Sequence, residues 1–554
     1  MVSEYNTIYH LQYDYNLNGE TIIIPQGCVI LFEGGTLKNG TLQGTNTIIG
    51  DTYQNVYGQD LTLAGTFEGS ISPLNFGLQP LDYNTSYQAL YLTHQAAIAT
   101  GLIVNYSGIK RINITVTADL VSIPLGNNTD FCGCEFHIEN NAARKYLFSL
   151  GGERPRIELT GMDVALLKGI DYTSVPQLQR GNYILVVQDQ SIWSKRQMSI
   201  GNTDIYRYDI INIQDGYARS MPIMPYDTPN SNPSFYAVDV SMDKLPTICN
   251  GKFYRENSTQ LTNLFIVEKV NDLTVKDIYI YTDKYTAPTN ISADSTFYFD
   301  RVTNLTMDSI YQMNTYSQAA SAATHGYFAT FMSGTNIKLF NINAYDNDWG
   351  VIGSRCLNKV FVDKCNINRF DIHIYGRDVY IRDSIFTGRY CQFGGTYGDV
   401  VFDGCTFNKC TAAVICEQTF NYYTPFNLYF KNCVLNKTPW IYRVTSPNMD
   451  VAPIRDEQAK KYLPNIYIDG LTVDLAPSDS LRVIYNNGTW TPTAFYEGFY
   501  GLDNIVIRNV QVNYDSEDTR AMATATLQYN NITLLTTPHI VLDNCSFGKI
   551  KTED

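Results

Sequence analysis

The chain is predicted to be all-β, a right-handed parallel β-helix with a small N-terminal β region and a capping helix. Three observations predict it: a nine-residue internal repeat, a turn-forming residue at one fixed place in that repeat, and the near absence of amphipathic helical patterning. The repeat is plainest in Asp272-Leu273-Thr274-Val275-Lys276-Asp277-Ile278-Tyr279-Ile280 and in Asp399-Val400-Val401-Phe402-Asp403-Gly404-Cys405-Thr406-Phe407. Further copies begin at Arg156, Asn304, Asn336, Lys359, Asp378, Asn427, Asn465, Asn504 and His539. The pattern runs polar, apolar, any, apolar, polar, turn residue, apolar or Cys, any, apolar.

Its first half alternates, as a strand with one buried face does. The sixth place holds Asp277, Asn341, Asp383, Gly404, Asn432, Gly470, Asn509 and Asn544, residue types that tolerate the left-handed backbone of a sharp corner. A second short strand follows. From Asp272 to His539 the copies start 19 to 39 residues apart, and the tightest coils lie between Asn336 and Asn427. Each coil buries its inward side chains only against its neighbours, so the core exists only once several coils stack. Cys365, Cys405, Cys433 and Cys545 share one inward place with Ile278, Leu471 and Val510. They are expected to be buried, unpaired core thiols. No CxxC pair occurs, and Cys132-Gly133-Cys134 has the wrong spacing for a zinc knuckle, so neither a metal nor any other cofactor is expected.

Residues 1–72 read as a small β region of short turns, with Ile22–Phe32, Gly34–Leu42 and Gly65–Gly69 punctuated by glycine corners. Residues 73–101 read as a linker and the capping helix. Tyr87, Leu90, Tyr91, His94 and Ile98 fall at helical spacing, with Asn84 or Ser86 as cap and Gly101 as terminator. Residues 102–554 read as the parallel β-helix, with loop insertions near 170–260, 440–464 and 480–503.

A net charge of −14 excludes nucleic acid, whose phosphates require a basic stripe. No run of about 18 apolar residues occurs, so membrane insertion is not expected. No charged segment followed by an apolar one opens the sequence, so the protein is expected either to be made in a cytoplasm and released with its particle or to have lost a leader.

The order Phe76-Gly77, a helix ending Gln95-Ala96-Ala97-Ile98-Ala99-Thr100-Gly101, then Ile103-Val104, Ile112-Asn113-Ile114, Ile123–Thr129 and Phe131–Phe136 resembles the start of pectate-lyase-type β-helices in bacteriophage tailspikes and related polysaccharide-degrading proteins. The Ile22–Gly44 stretch is similar to a leader on β-helical proteins of phages that infect gut bacteria. The resemblance implies a virion protein of the phage tail, a homotrimer, that meets other tail proteins and acts on a bacterial surface polysaccharide. After Phe76-Gly77 this chain has one acid, Asp82, where that pattern carries several. No lyase-type arginine and calcium-binding set matches, so no catalytic residue carries over.

Glycan cleavage on the outer face of a β-helix typically needs two carboxyl groups, about 5–5.5 Å apart for retention or about 6.5–9.5 Å for inversion. The tight coils supply the candidates. Asp346, Asp348 and Asp371 are the expected catalytic acids, and Trp349, His373, Arg389, Tyr390 and Glu417 the expected substrate contacts. Alternation puts Asp371 and His373 on the polar side of their strand, and the short coils leave no long loop to cover that face. The corner acids are equally readable as turn formers, and His373 and Glu417 as solvated surface groups. Glu268 and Asp300 form a second candidate group. Three functions fit: a tailspike-like capsule depolymerase of glycoside hydrolase or lyase type, a non-enzymatic receptor-binding or structural tail component, and a secreted bacterial polysaccharide lyase or glycosidase.

Overall fold

In the computed structural model, residues 4–553 are described apart from 82, 127, 141–145, 162–172, 199–200, 224–231, 242–245, 257–262, 283–294, 315–326, 346–349, 374, 417–423, 445–460, 476–480, 487–498, 501–503, 515–524, 529–534 and 547–549. The chain divides into two compact units, each built on stacked parallel coils: residues 1–153, 242–298 and 307–326, and residues 154–241, 299–306 and 327–554. The architecture is a parallel β-helix. Among the described residues no helix is long and apolar enough to cross a membrane.

In the first unit the N-terminal strands Ile8–Leu11, Val29–Phe32, Gly40–Ile49 and Leu61–Glu68 pair in parallel. Ser70–Ile71 then pairs with Ile103–Asn105. Between them lies helix α1, Tyr83–Thr100, which packs on Leu61–Glu68 and Arg111–Val116. The helix begins before Ser86, so that residue does not cap it; its hydroxyl instead donates to the Gln79 carbonyl. Gly101, at φ 81°, ends the helix as its composition requires.

His94, read only as part of the apolar stripe, is a fully buried polar hinge between α1 and the first coils. Its Nδ1 accepts from the Gly126 N–H at 3.1 Å, which leaves the proton on Nε2, 2.8 Å from the Tyr106 hydroxyl. Burial pushes its pKa down to about 3. The folded state therefore holds His94 neutral, while the unfolded chain protonates it near pH 6.5. That contribution is complete above pH 6.5 and is lost as pH falls toward 3, which amounts to about 2 kcal/mol at pH 5. The melting temperature is expected to fall from pH 7 to 5 more steeply in the parent than in His94→Gln; equal slopes would contradict this.

The coils of the first unit continue through Arg111–Val116, Glu135–Asn140, Thr247–Arg255 and Thr274–Thr282, all parallel. Their lumen is a pile of phenylalanines: Phe136 stacks on Phe253 at 5.1 Å, Phe148 on Phe265 at 5.5 Å, and Phe265 on Phe297 at 5.0 Å. Thr247–Arg255 escaped the repeat because its copy is broken, with Leu245 and Pro246 at the first two places and Gly251 after the corner. A Cβ at Gly251 would fall 2.7 Å from the Phe253 ring and 2.9 Å from that of Phe131. The missing inward side chain is the space those rings occupy.

In the second unit Tyr327–Ala344, Val351–Asp363, Gly376–Arg382, Thr396–Asp403, Phe426–Asn436, Asn465–Leu475, Asn504–Tyr514 and His539–Cys545 stack in parallel. All eight predicted corner residues have positive φ, from 46° at Asp383 to 78° at Gly470. The first place of the repeat bends left as well in Asn336, Lys359 and Asp378, which was not foreseen. Amide side chains at that place bond from coil to coil, Asn336 to Asn304 at 2.6 Å, Asn427 to Asp399 at 2.8 Å and Asn465 to Asn427 at 2.9 Å. Cys365, Cys405 and Cys433 are buried and form no disulfide among the described residues. Cys545 is only half-buried, because its strand pairs with one neighbour among the described residues and leaves Ile540 and Leu542 exposed too.

The copy at Arg156 is not a coil. Arg156–Leu159 belongs to an antiparallel sheet with Pro233–Asp239, Asn182–Met198, Gly201–Gln214 and Tyr217–Ala218. Its nine-residue match is a four-residue strand that alternates polar and apolar in sequence but buries only Leu159, and it pairs with Pro233–Asp239. The insertion expected near 170–260 is thus a folded sheet that begins earlier, and Thr247–Arg255 is coil. Within the stretches 440–464 and 480–503, Trp440–Val444 and Arg482–Asn486 are also coil strands, and 445–460 and 487–498 lie outside the described residues.

Candidate functional site

Two successive coils of the second unit carry Phe370–Ile372 and Cys391–Phe393, with Asp371 opposite Gln392. Phe370, Ile372, Cys391 and Phe393 fill the lumen, so Arg369, Asp371, His373 and Gln392 point outward, as alternation predicts. These four outward side chains are nevertheless withdrawn from water. Asp371 and Gln392 are 0% exposed, Arg369 2% and His373 7%. Ile352 and Ile415, above and below them in the same ladder, are buried too. The expectation of an open face is therefore corrected. Short coils limit only their own loops, and a segment inserted elsewhere in the chain can pack back on them.

The inserted sheet does this on the adjoining side of the same coils. Ile184, Val186, Ile210 and Val238 bury against Cys356 and Tyr375. Arg377 donates to the Ile223 carbonyl at 3.2 Å and Asn358 to that of Met221 at 3.1 Å. Asp300, a second-group candidate, serves this contact. It pairs with Arg301 at 2.5 Å and accepts from Ser333 at 2.7 Å, while Arg301 reaches the Tyr236 hydroxyl at 3.4 Å. Glu268 lies in the other unit, at the end of Asn263–Asn271.

The Arg369 guanidinium is 2.5 Å from Asp371 Oδ2 and stands 5.4 Å from the centre of the Tyr390 ring. His373 Nε2 is 3.5 Å from the same carboxylate oxygen. Neither Asp371 oxygen, nor the Gln392 amide, has a well-aligned hydrogen bond among the described residues. Gly350 ties the cluster to its coil: at φ 56° it brings its backbone so close to Arg369 that a Cβ would fall 2.2 Å from the Arg369 carbonyl. The structure thus brings Asp371, His373 and Tyr390 together and adds Arg369 and Gln392. Arg389 is half-buried beside them. Asp346, Asp348, Trp349 and Glu417 lie outside the described residues. Arg369 was legible in principle, since it shares the parity of Asp371 and His373.

A second constellation, on the first unit, was not foreseen. His137 is stacked on Tyr254 at 4.7 Å and 6°, and Tyr254 on Tyr281 at 4.8 Å and 13°. His137 Nδ1 is 2.7 Å from Glu256 and Nε2 is 3.8 Å from Glu135, which also pairs with Lys252 at 3.4 Å. His137 and Glu256 are 119 positions apart. Only the stacking of Glu135–Asn140 on Thr247–Arg255 across the insertion joins them.

No family model matches the chain, and no curated protein matches it in sequence. Among solved structures it is similar to tailspike gp49 of Pseudomonas phage LKA1, at 11% identity over 82% of each chain with a TM-score of 0.48. It is similar also to tailspike gp61 of Pseudomonas phage phi297, at 12% identity over 77% of this chain and 73% of that one with a TM-score of 0.43. A third is the gp54 tailspike of Acinetobacter baumannii phage AP22, solved with a capsular saccharide of that bacterium, at 11% identity over 86% and 74% with a TM-score of 0.39. The likeness is one of fold.

Proposed function

We propose that this chain is a tailspike-like protein that binds a bacterial surface polysaccharide and cleaves it at the Asp371 cluster. The observation that carries the reading is Asp371 itself, a fully buried carboxylate on the outward side of a β-helix, paired with Arg369 and facing His373. An outward strand position in a coil is ordinarily a solvated one. Withdrawing a carboxylate, a guanidinium and an imidazole from water there costs several kcal/mol per ion, which a purely structural position has no need to bear. In the cleavage step Asp371 acts as one of the two carboxyl groups, with Asp346 or Asp348 as the other. Arg369 pairs with Asp371 and holds it in place, and His373, Arg389 and Tyr390 contact the glycan together with Trp349 and Glu417.

The protein works as part of a phage tail at the host surface, as a homotrimer attached to other tail proteins; light scattering at the one-chain mass of 62.6 kDa would remove the trimer. The test of cleavage is incubation with purified capsular polysaccharides, scored for new reducing ends and for unsaturated uronates. The parent is expected to cleave one of them, and Asp371→Asn and His373→Gln, compared with it per mole of folded protein, to lose at least about a hundredfold in turnover. Binding without cleavage by the parent would leave a receptor-binding tail component, and variants that cleave like the parent would move the site elsewhere.

A further inference from the structure

Two outward ladders of the second unit differ in chemistry, and the difference points to a contact with another chain. The eighth place of the repeat, past the corner, stacks Asn366, Ile385, Thr406, Val434, Thr472 and Gln511 in register. That row is mostly polar, as strand positions facing water are. The third place, before the corner, stacks Phe361, Tyr380, Val401, Tyr429, Tyr467 and Val506. Phe361 is 44% exposed and Tyr380 37%, and the other four are half-buried. Consecutive coils thus hold one continuous apolar stripe in contact with water, the mark of an interaction surface.

The groups beside the stripe narrow the choice of occupant. The fifth place runs Asp363, Arg382, Asp403, Lys431, Asp469 and Arg508, one sign following the other from coil to coil. Every carboxylate of that row lies one coil from an arginine or lysine, so both signs meet an incoming surface at any register, and the row's charges cancel. The first place sets Lys359 against Asp378 and Asp399, beside Asn427, Asn465 and Asn504, so the face carries a net charge of −1 in a chain of −14. Two copies of so acidic a chain repel over most of their surface, and this face is nearly free of that cost. The rings themselves favour a protein over a sugar. Phe361 stacks on Tyr380 at 5.7 Å and 28°, and Tyr429 on Tyr467 at 4.7 Å and 13°. Their flat faces are turned to one another, and ring edges are left for an incomer, whereas a sugar lies flat on a ring face. Places one to five on these coils cover about 500 Å², so two copies bury about 1,000 Å², the lower bound for a specific interface.

We propose that this face is where a second copy of the chain packs, apolar stripe against apolar stripe. It supplies a contact for the homotrimer proposed above and rests on that reading only for the number of copies. Asp371 lies on another strand of these coils and takes no part.

The test is the mass of the full chain in solution at micromolar concentration, by light scattering and sedimentation velocity. The parent is expected at a multiple of the one-chain mass of 62.6 kDa. Tyr380→Glu puts a charge into the contact, and Phe361→Ser with Tyr380→Ser removes apolar surface without adding one. Each is expected to raise the dissociation constant at least tenfold and to keep the parent's circular-dichroism spectrum, since both side chains face water. Ile385→Glu, at a position 41% exposed on the eighth-place ladder, is expected to leave the mass unchanged. The proposal is overturned if the parent has the mass of one chain, if both variants associate like the parent, or if Ile385→Glu separates the copies equally well. Variants that keep the parent's mass but lose polysaccharide binding also overturn it, and give the face to a glycan. An associated parent with unaffected variants leaves the homotrimer standing and removes only this face, and a failure of cleavage at Asp371 bears on neither.

Discussion

Asp371→Asn is expected to destabilise the second unit by about 3–5 kcal/mol, the cost of breaking a buried ion pair from one side. Asparagine keeps the shape of the side chain but removes the charge 2.5 Å from a guanidinium that is itself 2% exposed. On sequence alone this substitution reads as a neutral swap on a solvated face that spares the melting temperature. Burial reverses that. The paired replacement Arg369→Met with Asp371→Leu is expected to recover most of the loss, since removing both ions removes both desolvation penalties. A stack of coils need not unfold in one step. The loss is therefore best read by hydrogen exchange of the Phe370–Ile372 amides beside a urea titration. Protection and midpoint equal to the parent's would show that Arg369 does not depend on Asp371, and would weaken the case for the cluster as well.

Phe253→Ala is expected to cost the first unit about 3–5 kcal/mol. Phe253 is fully buried and its ring meets Phe131 at 5.4 Å, Phe136 at 5.1 Å and Phe265 at 5.4 Å, so its removal leaves a cavity lined by rings that cannot close in from neighbouring coils. Gly251 beside it offers no side chain to fill the gap. Phe253→Leu, which keeps most of the volume, is expected to lose less than half as much. Thermal unfolding that ranks the two variants equally would mean that the lumen relaxes around the hole.

What was legible in the sequence is what a single coil decides locally. Alternation over four or five residues sets which side chains enter the lumen. A residue that accepts positive φ sets the corner, which is why Asp277, Asn432, Gly470 and their counterparts were readable one by one. The parity of Asp371 and His373 followed from the same rule. What only the tertiary structure decided is which coils are neighbours and what lies over them. Glu135–Asn140 and Thr247–Arg255 are adjacent although a five-stranded sheet is inserted between them, so the contact of His137 with Glu256 has no trace in local pattern. Arg156–Leu159 alternates in sequence like a coil strand, and only its antiparallel partner and its exposure in the fold distinguish it. The burial of Asp371 has no trace in the alternation of its own coil. The physical reason is the same in each case: strand and corner depend on the chain's own torsions and period, whereas stacking and covering depend on insertions that leave that period unchanged.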